Sequence, residues 1–248
     1  MPSAEAAMRT ALRSWQRRAA PGLGPAQRAL CLSVASDGAK GLLKEACGER
    51  GVRLDEAAVE LPLDGEDAVL AALDAELRPE TALVLLEALP PRAPCALPLE
   101  EAVALCRRRA PGATVVVDAA HGFGGLPLRP ARLAADALVG CCHSWLGAPE
   151  GAALLHVPQA QQAWVEPPEA PLDQGAAGFP DAFYRPGPRE ASAWLALDAV
   201  LDFWEAADLE RGRVYARYLA LDAAEALAEA WGTGLGLPAE LLGPAAQV

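Results

Sequence analysis

The chain has 248 residues, 52% of them hydrophobic, and a formal net charge of -12. This length and composition allow a substantial buried core in one large domain, or in one domain plus part of another. Nucleic-acid binding depends on clustered Lys and Arg, so the acidic balance argues against a nucleic-acid partner. No apolar run reaches the length of a membrane span, and we expect no membrane partner.

The cysteine and lysine contents restrict the chemistry further. The six cysteines form no CxxC pair and mostly lie in apolar segments, which is typical of buried free thiols in a reducing compartment. We therefore predict a cytoplasmic protein. Lysine is rare: the chain has only Lys40 and Lys44.

Helical and strand-like segments alternate along most of the chain, which indicates βαβ units and an α/β fold with a mainly parallel sheet flanked by helices. Residues 158–190 predict a long loop, and residues 191–231 are strongly helical, with Trp194 and Trp204 on one face. Before them we predict helices over residues 4–18, 38–50, 64–77 and 98–109, strands over 30–34, 81–86, 114–117, 137–140 and 152–156, a possible short strand over 59–63, and a helical turn over 130–134.

The strongest site signal is an acid at the end of a very apolar strand. Asp118 follows the run TVVV and is followed by Ala119, Ala120, His121 and a Gly-rich turn. In open α/β sheets, ligands bind outside the carboxyl ends of the strands. Taken alone, however, this pattern is more typical of a strand-ending Asp that caps a turn.

The wider segment VVVDAAHGFGGLPLRPARLAADALVGCCHSWLGAPEGAALLHV carries several motifs in register. It resembles the valine run, D-x-A-H loop, Gly turn, L-P-L, A-D, H-K-W, small-Pro-x-Gly turn and apolar strand of class V, pyridoxal-phosphate (PLP) aminotransferases. The most similar branch is that of the isopenicillin N epimerases, relatives of the cysteine desulfurases. Residues 36–40, 81–101 and 187–190 resemble further turns of that branch, so the resemblance covers nearly the whole chain.

The resemblance implies a domain plan and a set of partners. Residues 1–205 would form a PLP-transferase-like large domain, shortened at its N-terminus, and residues 206–248 the incomplete start of a small C-terminal domain. PLP is the implied cofactor and an amino-acid-like molecule the implied substrate. Members are typically homodimers, so we expect a homodimer or pairing with a paralogue.

The same resemblance implies roles for individual residues. Asp118 matches the acid that pairs with the pyridinium nitrogen, and His121 the histidine of the D-x-A-H loop, a cofactor-binding and catalytic candidate. His143 matches the residue before the Schiff-base lysine. Arg189 matches a turn arginine; it is a cofactor-binding candidate that could bind a carboxylate or form a salt bridge at a subunit contact.

Position 144 departs from the family pattern, because Ser144 stands where the Schiff-base lysine is expected. A serine hydroxyl cannot form an imine, and Lys40 aligns with an ordinary helix lysine. Other cofactor contacts are altered too: Glu5 lies in the expected phosphate turn, Pro188 replaces a Thr, and residues 88–91 have lost a His-Ser loop. We therefore expect PLP binding to be weak or lost.

Three hypotheses follow. The first is a divergent class V protein without Schiff-base catalysis, a pseudoenzyme with a binding or subunit role. The second is an active epimerase, aminotransferase or carbon–sulfur lyase that acts on an amino acid with non-covalent PLP. The third is a truncated product that does not fold stably alone.

Two other constellations are weaker. His143 and Ser144 could form a base and a nucleophile, but no G-x-S-x-G elbow surrounds them. Asp118, His121 and His143 have side chains that bind metals, but the resemblance accounts for all three without a metal, and we predict none. His156 is predicted to be a structural residue with satisfied hydrogen bonds.

Overall fold

A six-stranded sheet forms the centre of the protein in a computed structural model that describes residues 1–18, 22–93, 95–169, 178–184, 190–236 and 238–241. The strands are β1 (Arg28–Leu32), β2 (Arg53–Ala57), β3 (Thr81–Glu87), β4 (Thr114–Ala119), β5 (Ala137–Cys141) and β6 (Ala153–His156). Their spatial order is β2-β1-β3-β4-β5-β6; the first five are parallel and β6 runs antiparallel to β5. The predicted α/β class and mainly parallel sheet are confirmed.

The first four helices alternate with the strands in sequence and flank the sheet, and the other helices come after the last strand in the chain. None of the helices in the described ranges combines the length and the apolar character that a membrane crossing requires. The helices are α1 (Ala4–Arg18), α2 (Asp37–Gly48), α3 (Glu66–Glu76), α4 (Leu99–Arg109), α5 (Phe179–Tyr184), α6 (Ser192–Leu195), α7 (Leu197–Ala207) and α8 (Leu209–Trp231), with short 3-10 helices at Gln159–Trp164 and Ala239–Leu241.

The sheet is buried on both faces because helices cover each side, which explains the continuous apolar runs of β3 and β4. On one face, α1 and α2 pack against side chains such as Leu85, Val116 and Val139. On the other, α3 and α4 pack against alternate residues such as Leu86 and Val117. Because side chains alternate along a strand, each strand contributes to both cores.

Two sequence-based predictions of local structure have different outcomes, and the first is wrong. The short strand expected over residues 59–63 does not form there; the strand is β2, whose Arg53 pairs in register with Arg28 of β1. Pro62 could not donate to a ladder, and the charged RLDEA sequence of β2 suits its position at the sheet edge. The short helical turn predicted over residues 130–134 forms, because the Arg132 amide donates to the Arg129 carbonyl at 2.8 Å and the Leu133 amide donates to the Pro130 carbonyl at 3.3 Å.

The carboxyl-terminal helices are anchored to the sheet domain mainly through two tryptophans. Trp194 Nε1 donates to the Gly151 carbonyl at 2.9 Å, and Trp204 Nε1 donates to the Leu146 carbonyl at the same distance. The helical path is interrupted between α7 and α8 at Asp208, which has a φ of 65° and caps α8. The domain boundary predicted between residues 205 and 206 stays a prediction.

Candidate functional site

Two acids end neighbouring strands at the carboxyl edge of the sheet. Glu87 ends β3, and Asp118 is its register partner on β4. Both side chains project to the sheet face covered by α1 and α2, because Glu87 is two residues beyond Leu85 and Asp118 two residues beyond Val116, which belong to that core. Asp118 was predicted from sequence, whereas the role of Glu87 was missed, although it follows an apolar run just as Asp118 does.

The two carboxyl groups are held by backbone amides. Glu87 is 4% exposed, and its Oε2 accepts from the Ser36 amide at 2.6 Å. Asp118 Oδ1 accepts from the Ala120 amide at 2.9 Å. Burial raises the pKa of Glu87, the Ser36 hydrogen bonds oppose that rise, and repulsion from Asp118 adds to it. Burial likewise raises the pKa of Asp118, against the Ala120 hydrogen bond and nearby His121.

A Gly-rich turn after β4 positions His121 and Trp145 side by side. The His121 carbonyl accepts from Trp145 Nε1 at 2.7 Å, while the His121 side chain is exposed. The Trp145 ring lies directly over Gly125, where an added Cβ would come within 2.9 Å of the ring atom Cδ2. This close approach explains a glycine at that position.

The loop after β5 exposes both residues that the resemblance placed there. His143 and Ser144 are exposed to solvent. Beneath them, the Cys141 sulfur lies 2.9 Å from His143 Nδ1 and 3.7 Å from Ser144 Oγ. His143 and Ser144 are therefore neighbours at one thiol rather than a hydrogen-bonded base and nucleophile. The thiol was missed from sequence, because the cysteine was treated only as an apolar residue.

Neither lysine lies at position 144 or near it. Lys40 Nζ donates to Glu56 of β2 at 2.6 Å and to the Ser33 carbonyl at 2.8 Å. Its partner strand β2 is separated from β5 by three strands, each about 4.8 Å from the next. Lys44 is exposed on α2. Lys40 is thus an ion-paired structural residue.

The first helix begins beside the loop that carries Ser144. Met1 exchanges backbone hydrogen bonds of 2.9 Å with Ala153, the register partner of Cys141. Ser3 then caps α1 by accepting from the Ala6 amide at 3.0 Å. Glu5 is exposed and pairs with Arg9 at 3.0 Å, which directs its carboxylate along α1. Its negative charge therefore does not occupy the helix end, where anions bind.

The other residues expected to contact the cofactor are residues 88–91, which the structure describes, and residues 188 and 189, which it does not. Ala88 and Leu89 are buried in the core, and an added Cβ on Gly122 would lie 3.2 Å from the Ala88 Cβ. Residues 88 and 89 therefore pack under the turn after β4. Arg189 and Pro188 lie outside the described residues.

Two further observations concern polar groups near the sheet. Within the described ranges, no group of three or more His, Cys, Asp or Glu side chains could hold a metal ion. The prediction that His156 has satisfied hydrogen bonds is wrong, because its buried Nε2 has no hydrogen-bond partner among the described residues. His156 lies on β6, the edge strand of the sheet.

A mainly parallel sheet with acids at the ends of its central strands is the architecture of α/β proteins, a class in which ligands bind at the carboxyl edge of the sheet. Residues 3–240 match the family model for aminotransferase class-V, and the chain belongs to this family.

Relatives support the same assignment. Isopenicillin N epimerase from Streptomyces clavuligerus is 34% identical over 174 residues, which cover 64% of this chain and 42% of that protein. L-cysteine desulfhydrase from Arabidopsis thaliana is 30% identical over 152 residues, 60% of this chain and 33% of that protein. The chain spans less than half the length of these curated relatives.

Solved structures share the fold. The Escherichia coli cysteine desulfurase CsdA has a TM-score of 0.76 and 18% identity, and the alignment covers 92% of this chain and 57% of CsdA. A lysine-to-alanine mutant of C-DES, with glycine covalently linked to its PLP cofactor, has a TM-score of 0.75 and 22% identity, covering 89% of this chain and 58% of that chain. The resemblance predicted from sequence is confirmed at the level of family and fold.

Some of the described residues fit PLP and others do not. A half-buried acid is available for the ring nitrogen, and a capped helix end whose acidic residue turns away is available for the phosphate. The covalent anchor does not fit, because Ser144 replaces it.

Proposed function

We propose that this chain is a divergent class V aminotransferase-like protein that binds PLP weakly, without a covalent lysine bond, and serves as a binding protein or subunit without Schiff-base catalysis. The observation that carries the proposal is that neither lysine side chain, the amine needed for an imine with PLP, is at position 144. Ser144 is exposed at the position expected for the lysine, Lys40 is ion-paired with Glu56 of the edge strand β2, and Lys44 is exposed on α2.

Three groups would hold the cofactor. Asp118 would accept a hydrogen bond from the protonated ring nitrogen, and the raised pKa of Asp118 would fall beside that cation. The first turn of α1 would receive the phosphate. His121 lies next to Asp118 on the turn after β4 and would border the ring. PLP, when bound, supplies an electron sink for bonds at the α-carbon of an amino acid.

The test combines a binding measurement with a chemical trap. Binding of PLP to the purified protein is measured by equilibrium dialysis. The mixture is then treated with borohydride and denatured, and the mass of the protein is measured by mass spectrometry. We expect weak, saturable binding that Asp118→Ala abolishes and the exposed-acid control Asp67→Ala leaves unchanged, with no gain of mass after borohydride. A trapped adduct on Lys40 or Lys44 would disprove the non-covalent mode, and a lack of any PLP binding would disprove the proposed function.

A second candidate function is an active epimerase, aminotransferase or carbon–sulfur lyase that uses non-covalent PLP. The presence of Asp118, His121 and His143 supports it, as does the C-DES mutant, in which glycine is linked to PLP although a lysine is replaced by alanine. Amino-acid turnover that requires PLP and is lost in Asp118→Ala would favour this function over the first. No turnover by a protein that binds PLP would exclude it.

The proposal includes a second copy of this chain as the protein partner and the cytoplasm as its compartment. α7 has no fully buried residue, and large apolar side chains on α7 and α8 are exposed, among them Phe203 at 60% and Tyr215 at 68%. An apolar face of this kind favours a protein contact. Light scattering should give a dimer, and Phe203→Asp should give a monomer. A monomeric wild type that associates only with an active homologue would indicate pairing with a paralogue instead.

The proposed cytoplasmic compartment is supported by the cysteines. All six are free and buried, which fits a reducing compartment.

A further inference from the structure

Helix α8 is held to the rest of the chain along one side. On that side, Arg213 Nε donates to the Gly124 carbonyl at 2.8 Å, and an added Cβ on Gly212 would lie 3.0 Å from the Trp204 ring. Ala220 is the only buried residue of α8, all of which the structure describes. The opposite side of this helix therefore faces solvent.

The solvent side of α8 is a continuous stripe that changes its charge along the helix. Six exposed residues follow one another at intervals of three or four positions, which is the spacing of one helix face: Arg211, Tyr215, Tyr218, Asp222, Glu225 and Glu229. We call these six residues the α8 stripe. Its amino-terminal half carries a cation and two phenol rings, whereas its carboxyl-terminal half carries three acids.

The two halves of α8 also differ in the size of the exposed side chains next to the stripe. Val214 and Leu219 flank the tyrosines and are 54% and 56% exposed. The exposed residues beside the acids are small: Ala223, Ala226 and Ala230. A second α8 in antiparallel orientation would place each bulky, cationic half on the shallow, acidic half of the other helix. A parallel orientation would bring like charges together and bulky side chains against each other.

Helix spacing determines the register of such a pair. Arg211 and Glu229 are about 27 Å apart along the helix, which rises 1.5 Å per residue. A twofold axis at the level of Ala220, midway between them, brings Arg211 of each copy opposite Glu229 of the other. The same axis brings Tyr218 opposite Asp222, where a phenol can donate to a carboxylate. No salt bridge joins Arg211 or Glu229 to another residue in the described ranges, so both charges are available.

We infer that the α8 stripe is a self-docking surface through which two copies of this chain pair, with their α8 helices antiparallel about a twofold axis at Ala220. The inference rests on the proposed function, which takes a second copy as the protein partner, and it names the surface and the register of that contact. Pairing in this register covers the exposed apolar half of each α8 and places every charged end against its opposite.

Charge reversal tests the register, because each substitution acts at both ends of a symmetric pair. The dissociation constant of the dimer is measured on the full chain by sedimentation equilibrium. Arg211→Glu and Glu229→Arg should each raise this constant at least about tenfold, since two ion pairs are lost and like charges meet. The double variant R211E/E229R should restore the wild-type value. The matched control Arg108→Glu reverses an exposed charge on α4 and should leave the constant unchanged.

A disulfide measurement tests the direction of the helices without relying on charge. All six native cysteines are buried and free, so oxidation should act on an introduced surface thiol. An oxidised mixture of Arg211→Cys and Glu229→Cys should form a heterodimeric disulfide. Arg211→Cys alone should not, because its two copies would be about 27 Å apart, far beyond the reach of a disulfide.

The outcomes separate this inference from the proposed function. Self-crosslinking of R211C, or a double variant R211E/E229R that dissociates as readily as the single variants, would overturn the inference and leave PLP binding and a dimer by another surface intact. A monomeric wild type would overturn the inference together with the second copy as partner. Loss of PLP binding in a chain that still dimerises as described would overturn the proposed cofactor function alone.

Discussion

Restoring the lysine at position 144 tests whether the rest of the site is still built for PLP. Ser144 is exposed, and its only described polar contact is the 3.7 Å approach to the Cys141 sulfur. Ser144→Lys should therefore change the free energy of unfolding by about 0.5 kcal/mol or less. The loop carrying residue 144 leaves β5, the neighbour of the Asp118 strand, and a lysine's four methylenes can span the roughly 4.8 Å between adjacent strands.

We expect S144K to bind PLP at least about tenfold more tightly than wild type, since a new bond worth only about 1.4 kcal/mol has that effect. Borohydride should fix the cofactor to the peptide that contains residue 144, detected by mass spectrometry. Glu150→Lys adds a lysine to the same exposed loop and should form no such adduct. The reasoning is refuted if S144K binds no better than wild type, or if E150K is labelled equally.

Three other variants test the structural basis of the site. Burial raises the pKa of Asp118, so the folded state binds its proton more tightly than the unfolded state, and its contribution to stability falls as pH rises from the ordinary carboxyl pKa through the raised one. Asp118→Asn should therefore be more stable than wild type above that pH interval, and the urea concentration at its unfolding midpoint should depend less on pH. The same pH dependence in Asp118→Asn and wild type would contradict the burial of Asp118. Gly125→Ala should lower stability by about 1–3 kcal/mol, because its Cβ would meet the Trp145 ring at 2.9 Å, and should alter the near-ultraviolet circular dichroism; Gly112→Ala, with no atom within 4 Å of the new Cβ, should do neither. Lys40→Met should lose about 1–3 kcal/mol with its bonds to Glu56 and Ser33 but keep wild-type PLP binding, whereas Lys44→Met should be near neutral; weaker PLP binding in K40M would assign that lysine a role in the site.

Sequence could predict the parts of the fold that periodicity and strand chemistry determine. The run of β-branched residues that ends at Asp118 indicated a central parallel strand, and the structure has β4 there, buried on both faces. The position of β2 was not readable, because its charged sequence suits an edge strand and carries no apolar alternation. That β6 runs antiparallel was equally hidden, since strand direction depends on where the chain returns.

The same limit applied within the site. Asp118 and His121 could be found because a single segment carries both. The contacts of Glu87 with Ser36 and of Cys141 with His143 depend on strand register and on a loop conformation, which residue spacing alone does not determine. Glu5 illustrates the converse case: its charge opposed a phosphate turn, yet pairing with Arg9 directs it away.

The pair of acids at the strand ends bears most directly on whether a ligand is bound. Glu87 and Asp118 repel each other, and burial raises the pKa of both, so each ionised group destabilises the folded chain. Glutamine and asparagine would keep the hydrogen bonds from the Ser36 and Ala120 amides without that charge. A protonated pyridine nitrogen next to Asp118 would reduce the repulsion, lower both pKa values and turn an unfavourable pair into a cation-binding one. Ser144, at the position where a lysine is expected, cannot form an imine but does not alter this electrostatic preference, so PLP binding and catalysis with PLP must be measured separately in this protein.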